Sequence, residues 1–116
     1  MNINIVLYSK VGEKLIEIRK LNGLTQEELS KMVNINRSTI SNIEAGRQQI
    51  SLHLLFKIAQ VLHMEVSNFL PSLDEIASLM AEEENYLHKL MDQKNLGDYT
   101  RNSILQFTTQ NKKAVE

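Results

Sequence analysis

The stretch Thr25–Gly46, TQEELSKMVNINRSTISNIEAG, decides the fold. Thr25 followed by Glu28 is a capping box, and Glu27 and Glu28 suit the positive end of a helix dipole, so a helix opens at Thr25. Leu29, Met32 and Val33 form its inner face. Asn34 tolerates the left-handed region, which lets the chain turn sharply there. Asn36 then caps a second short helix running through Arg37–Ala45, ended by Gly46. Only Ile40 and Ile43 point inward along it. Arg37, Ser38, Ser41 and Asn42 point outward together, with Thr39 near the helix start. No carboxylate stands among them. Two short helices with a tight turn, the second polar on its outer face, are the arithmetic of a helix-turn-helix. A helix of this width fits a DNA major groove of about 12 Å, and the forks of Arg and Asn match guanine and adenine edges.

Outward from this stretch the pattern stays helical. Ser9 can cap a first helix with Val11, Leu15, Ile18 and Leu21 inward, stopped by Gly23. Ahead of it, Met1–Tyr8 alternates Ile3, Ile5 and Leu7 with Asn2 and Asn4. That reads as a short strand or as a frayed lead-in to the helix. Ser51 starts a fourth helix through Leu62, whose core stripe is Leu52, Leu55, Ile58, Ala59 and Leu62. Leu54, Phe56 and Val61 fall outside that stripe, so this helix is expected to be covered on two sides. A short fifth helix, Val66–Leu70, is stopped by Pro71.

Ser72 and Glu75 form a second capping box, and Leu73, Ile76, Met80, Leu87, Leu90 and Met91 mark an amphipathic helix to about Lys94. Asn95–Asp98 reads as a turn, and Asp98 can cap a last helix carrying Tyr99, Ile104, Leu105 and Phe107. The expected fold class is therefore all-α: a five-helix bundle over residues 1–71, with 1–8 as a short extension, and a C-terminal pair of helices over 72–116. Residues 1–71 carry eight basic and six acidic side chains, against five and eight in 72–116. The acidic balance keeps the tail off DNA. Either it dimerises and covers the fourth helix, or it packs on its own domain as a further layer. Leu54, Val61, Ile76, Met80, Leu87 and Leu90 are the candidate dimer contacts.

The 116 residues, 42% apolar and 23% charged, suit one soluble domain. The absence of cysteine excludes disulfides, thiolate metal sites and a cysteine nucleophile. No apolar run reaches the ~18 residues of a membrane span, and Met1–Leu7 lacks the flank of a signal peptide, so the expected location is the cytoplasm, with no membrane partner. His53, His63 and His88 are scattered singly, without ligand partners at metal spacing. Glu82–Glu84 reads as a solvated face. No nucleophile-elbow or phosphate-loop pattern supports an enzyme, and no metal or cofactor is called for.

The stretch Lys14–Pro71 resembles the Cro/phage-repressor helix-turn-helix family, the xenobiotic-response-element type of bacterial regulator. The likeness rests on the spacing of LTQEEL, STISNIEAGR and LLFKIAQVL. It implies a lambda-repressor-like bundle that binds double-stranded operator DNA as a two-fold homodimer. By position it implies that Gln26 contacts a phosphate or the operator edge. Arg37, Ser38, Ser41 and Asn42 would read bases, while Thr39 and Arg47 hold the backbone and Gln48 adds a weaker contact. It also implies that Arg19 pairs with Glu44 as a structural clamp. Asn34 and His63 stand where many members carry glycine. The reading is a transcriptional regulator, most often a repressor in this family, whose tail a protein antagonist could contest. The alternative is an antitoxin whose main partner is a toxin.

Overall fold

The computed structural model describes residues 3–93, and the expected last helix after Asp98 lies outside them. Every regular element among the described residues is helical: α1 (Ile3–Leu21), α2 (Gln26–Met32), α3 (Arg37–Glu44), α4 (Leu52–Val61), a 3-10 turn (Val66–Phe69) and α5 (Leu73–Gln93). The chain divides into two compact units. One is Leu7–Pro71; the other joins the residues through Val6 with those from Ser72 onward.

In Leu7–Pro71 the core gathers Val11, Leu15 and Ile18 of α1, Leu29 of α2, Ile40 and Ile43 of α3, and Leu55, Ile58 and Ala59 of α4. Phe69 of the 3-10 turn is fully enclosed. A Cβ added at Gly12 would fall against the Ile43 carbonyl oxygen and 2.7 Å from that of Glu44. Glycine therefore lets α1 approach the last turn of α3 backbone to backbone. Gly46 takes φ 76 to end α3, and Asn34 and His63 take φ 56 and 53. Asn34 thus makes the left-handed turn expected of it, and His63 adopts the conformation a glycine would favour.

Several expectations need correction. Leu21 and Met32, expected inward, are 80% and 45% exposed, and Glu83, expected on a solvated face, is half-buried. From Ile3 onward the segment is neither strand nor lead-in: α1 already runs there, so Ser9 lies inside it and caps nothing. Alternation over so few residues also satisfies a helical stripe, with Leu7 packed against the core one turn before the Val11–Leu15–Ile18 series. On α4 the inner face is rotated: Leu54 is a core residue, Val61 is half-buried at the core margin, and Leu52 and Phe56 are 70% and 57% exposed. Leu54 packs one turn from Ile58, so the outward apolar positions of α4 are Leu52 and Phe56 rather than Leu54. Asn36 has the extended backbone of an N-cap, φ −72 and ψ 144, yet its side chain makes no capping hydrogen bond.

In α5 the Ser72 hydroxyl accepts from the Glu75 amide at 3.0 Å. Ile76 and Met91 are buried, Met80, Leu87 and Leu90 are half-buried, and Leu73 is exposed. Ile76, Met80, Glu83, Leu87 and Leu90 recur at alternate spacings of four and three, the repeat of a coiled-coil seam. One Glu83 carboxylate oxygen is enclosed and has no hydrogen-bond partner among the described residues. No described helix is long and apolar enough to cross a membrane.

Candidate nucleic-acid interface

Helix α3 is an amphipathic rod of eight residues. Ile40 and Ile43 are buried, while Arg37 and Ser38 are exposed and Thr39, Ser41 and Asn42 are half-buried along its rim. The acid on this helix is turned away from that rim. Glu44 lies inside, its side chain only 3% exposed, beneath Arg19 of α1. Arg19 Nε donates to Glu44 Oε2 at 2.7 Å and its Nη2 donates to Oε1 at 3.0 Å, a bidentate pair. Its Nη1 donates to the Leu24 carbonyl at 2.7 Å. The hydrogen bond and charge of Glu44 raise the guanidinium pKa further, against the lowering effect of burial. One arginine thus ties α1, the loop before α2, and the end of α3 together, and the outer face of α3 carries no carboxylate to repel phosphate.

The start of α2 is built by its capping box. The Glu28 amide donates to Thr25 Oγ1 at 3.0 Å, and the Thr25 amide donates to Glu28 Oε1 at 3.1 Å. Hydrogen bonding from Thr25, its backbone amide foremost and its side chain second, holds the Glu28 carboxyl below its ordinary range. Glu27 faces Lys31 at 3.7 Å. An open depression lies between the beginnings of α2 and α3, lined by Arg19, Thr25, Gln26, Glu27 and Arg37.

Gln26 is half-buried at the first position of α2 and donates through Nε2 to Glu44 Oε1 at 2.9 Å. It is a third member of the Arg19–Glu44 clamp, which sequence spacing alone gave no means of seeing. Gly12 was also missed, because a helical glycine carries no mark of what approaches it. Arg47 follows α3 directly, exposed, and its Nε donates to Asn42 Oδ1 at 3.1 Å. The structure therefore places Gln26, Arg37, Ser38, Thr39, Ser41, Asn42 and Arg47 on or beside the α2–α3 unit. Among the described residues, no group of acidic or histidine side chains is arranged to hold a metal ion.

A family model described as helix-turn-helix matches residues 15–68. An uncharacterised HTH-type transcriptional regulator of Archaeoglobus fulgidus is 39% identical over 62 residues, covering 53% of this chain and 89% of that protein. The chain belongs to this helix-turn-helix family of transcriptional regulators. It is a DNA-binding regulator of the Cro/phage-repressor type, a family that is generally non-enzymatic. The immunity repressor protein of Bacillus phage phi105 is 32% identical over 87 residues, covering 72% of this chain and 60% of the repressor. Antitoxin HipB of Escherichia coli K12 is 40% identical over 50 residues, covering 43% of this chain and 57% of the antitoxin. The crystal structure of the restriction-modification controller protein C.AhdI from Aeromonas hydrophila superposes with a TM-score of 0.53 at 32% identity, covering 54% of this chain and 96% of that one.

Proposed function

We propose that this regulator is a dimeric repressor that lays α3 of each subunit into successive major grooves of a pseudo-palindromic operator, about 34 Å apart. The observation that carries this reading is the acid-free outer face of α3, held outward by Ile40, Ile43 and the Arg19–Glu44 pair. Arg37, Ser38, Ser41 and Asn42 contact base edges, and Thr39 and Arg47 contact phosphate. Gln26, tethered to Glu44, keeps its other amide N–H and its carbonyl for the operator edge. Base contacts set the sequence, whereas phosphate contacts set register and salt dependence. Occupancy, not catalysis, blocks or positions polymerase, and the site of action is the cytoplasm, where bacterial or phage operators lie. The apolar stripe of α5, with Ile76, Met80, Leu87 and Leu90, supports pairing between subunits. Likeness to a phage immunity repressor supports repression.

The likeness to HipB favours a second reading, in which the C-terminal segment 72–116 engages a toxin and DNA binding is autoregulatory. Selecting bound duplexes from a random pool, with native mass measured on the same sample, tests both. A two-fold symmetric site and a dimer mass support the first reading. A small co-purifying protein whose removal abolishes tight binding supports the second. No enriched duplex at modest ionic strength contradicts both.

A further inference from the structure

We propose that Arg47 fixes the carboxamide of Asn42 so that Asn42 reads guanine rather than adenine. The inference rests on the placement of α3 in the major groove proposed above, and it names the specificity of one position there. Asparagine suits adenine when its carbonyl accepts from N6 while its amide donates to N7. Both halves of the side chain must then face the base. Here the carbonyl half is engaged, since Arg47 Nε donates to Asn42 Oδ1 at 3.1 Å. A guanidinium only donates, so the atom it meets has to be the oxygen, and the opposite orientation would set two donors against each other.

The backbone holds this arrangement. The amides of Arg47 and Gln48 both donate to the Asn42 carbonyl, at 2.9 and 3.2 Å, and Gly46 at φ 76 supplies the turn between them. Arg47 is therefore folded back over Asn42 by its main chain as well as its side chain. One lone pair of Oδ1 is thereby taken and a cationic donor stands beside the other, so the NH2 group is the part of Asn42 left wholly free for a base. Guanine offers two adjacent acceptors, O6 and N7, to such a donor. Adenine offers N7 beside an N6 donor that would have to share Oδ1 with the Arg47 guanidinium, thymine offers the single acceptor O4, and cytosine presents a donor. The two terminal nitrogens of Arg47 remain for a phosphate, so one side chain links the backbone contact to the orientation of the base reader. Arg47 acts here as a positioning residue.

The test is selection of full-length protein on a random duplex pool, with the wild type, Asn42→Ala and Arg47→Ala compared at one salt concentration. Far-UV circular dichroism melts show whether each variant is folded; both residues lie at the surface rim, and unaltered melts are expected. Asn42→Ala identifies the base pair read by Asn42 as the one whose preference it flattens. The wild type is expected to select guanine there. Arg47→Ala is expected to weaken binding to every sequence and, at that pair alone, to raise the adenine-to-guanine ratio at least about fivefold. Three results overturn the inference: adenine selected by the wild type at that pair, no pair flattened by Asn42→Ala, or an unchanged ratio in Arg47→Ala. Failure of the wild type to enrich any duplex would instead overturn the underlying DNA placement.

Discussion

Replacing Arg19 with methionine keeps most of the side-chain volume and removes every donor that Arg19 supplies. Glu44 would then keep a buried carboxylate, 3% exposed, with the Gln26 amide at 2.9 Å as its remaining partner in this network. The Leu24 carbonyl would also lose its donor at 2.7 Å. Removing one partner of a buried pair costs about 3–5 kcal/mol, because the stranded charge has no solvent to return to. For a domain whose whole stability is about 5–15 kcal/mol, that is a large share. It corresponds to a fall in Tm of at least about 12 °C. Urea unfolding followed by circular dichroism at 222 nm reads it directly. The double variant Arg19→Met/Glu44→Leu removes both charges and is expected to recover most of the loss, since apolar replacement of a buried pair is often neutral or better. A loss below about 1 kcal/mol in Arg19→Met, or a double variant no more stable than the single, would refute the clamp as the tie between α1 and α3.

Other perturbations follow from particular contacts. Gly12→Ala should destabilise by at least about 1–3 kcal/mol in urea melts, since its Cβ meets the backbone carbonyls of Ile43 and Glu44 and neither can swing aside. His63→Gly should raise the unfolding free energy from urea titration by up to about 1 kcal/mol, the left-handed penalty of a non-glycine residue less the greater chain entropy of glycine, and more than Asn34→Gly does. Glu28 has a carboxyl pKa lowered by folding, so its contribution is present above the ordinary carboxylate range and is lost as pH falls through the folded value. The stability gap between wild type and Glu28→Gln, measured by urea titration at stepped pH, should therefore be open at neutral pH and close in acid. Glu83→Leu should raise Tm, because it replaces an enclosed carboxylate oxygen that has no hydrogen bond among the described residues by a seam-compatible side chain; a lower Tm would show that this carboxylate has a partner.

Much of the α2–α3 unit was legible because local chemistry and tertiary need coincide there. Thr25 and Glu28 cap α2, Asn34 takes the turn, and Ile40 and Ile43 leave no doubt about which side of α3 is buried. The Arg19–Glu44 pair was legible only through resemblance, since the partners are 25 residues apart and nothing local joins them. Where local signals were short or symmetric, reading failed. The short alternation of Ile3, Ile5 and Leu7 in Met1–Tyr8 fits a helix as well as a strand. An almost uniformly apolar α4 gives its own sequence no means of choosing between Leu52 and Leu54; packing into the shared core decides it. Asn36 looked like a side-chain cap because its type and position are right, but its backbone alone performs the role. The bonds from Gln26 to Glu44 and from Arg47 to Asn42 involve flexible side chains whose partners are set by the fold, so residue types alone could not rank them.

The most direct test of the account replaces guanines one at a time with 7-deazaguanine in an enriched duplex and titrates each with protein at fixed ionic strength. That change removes a major-groove acceptor and leaves the minor groove and phosphates intact. Contact by the outer face of α3 predicts a loss of about 1–3 kcal/mol at one or more guanines in each half-site, with Arg37→Ala insensitive to one of those replacements. Full affinity for every substituted duplex would contradict it.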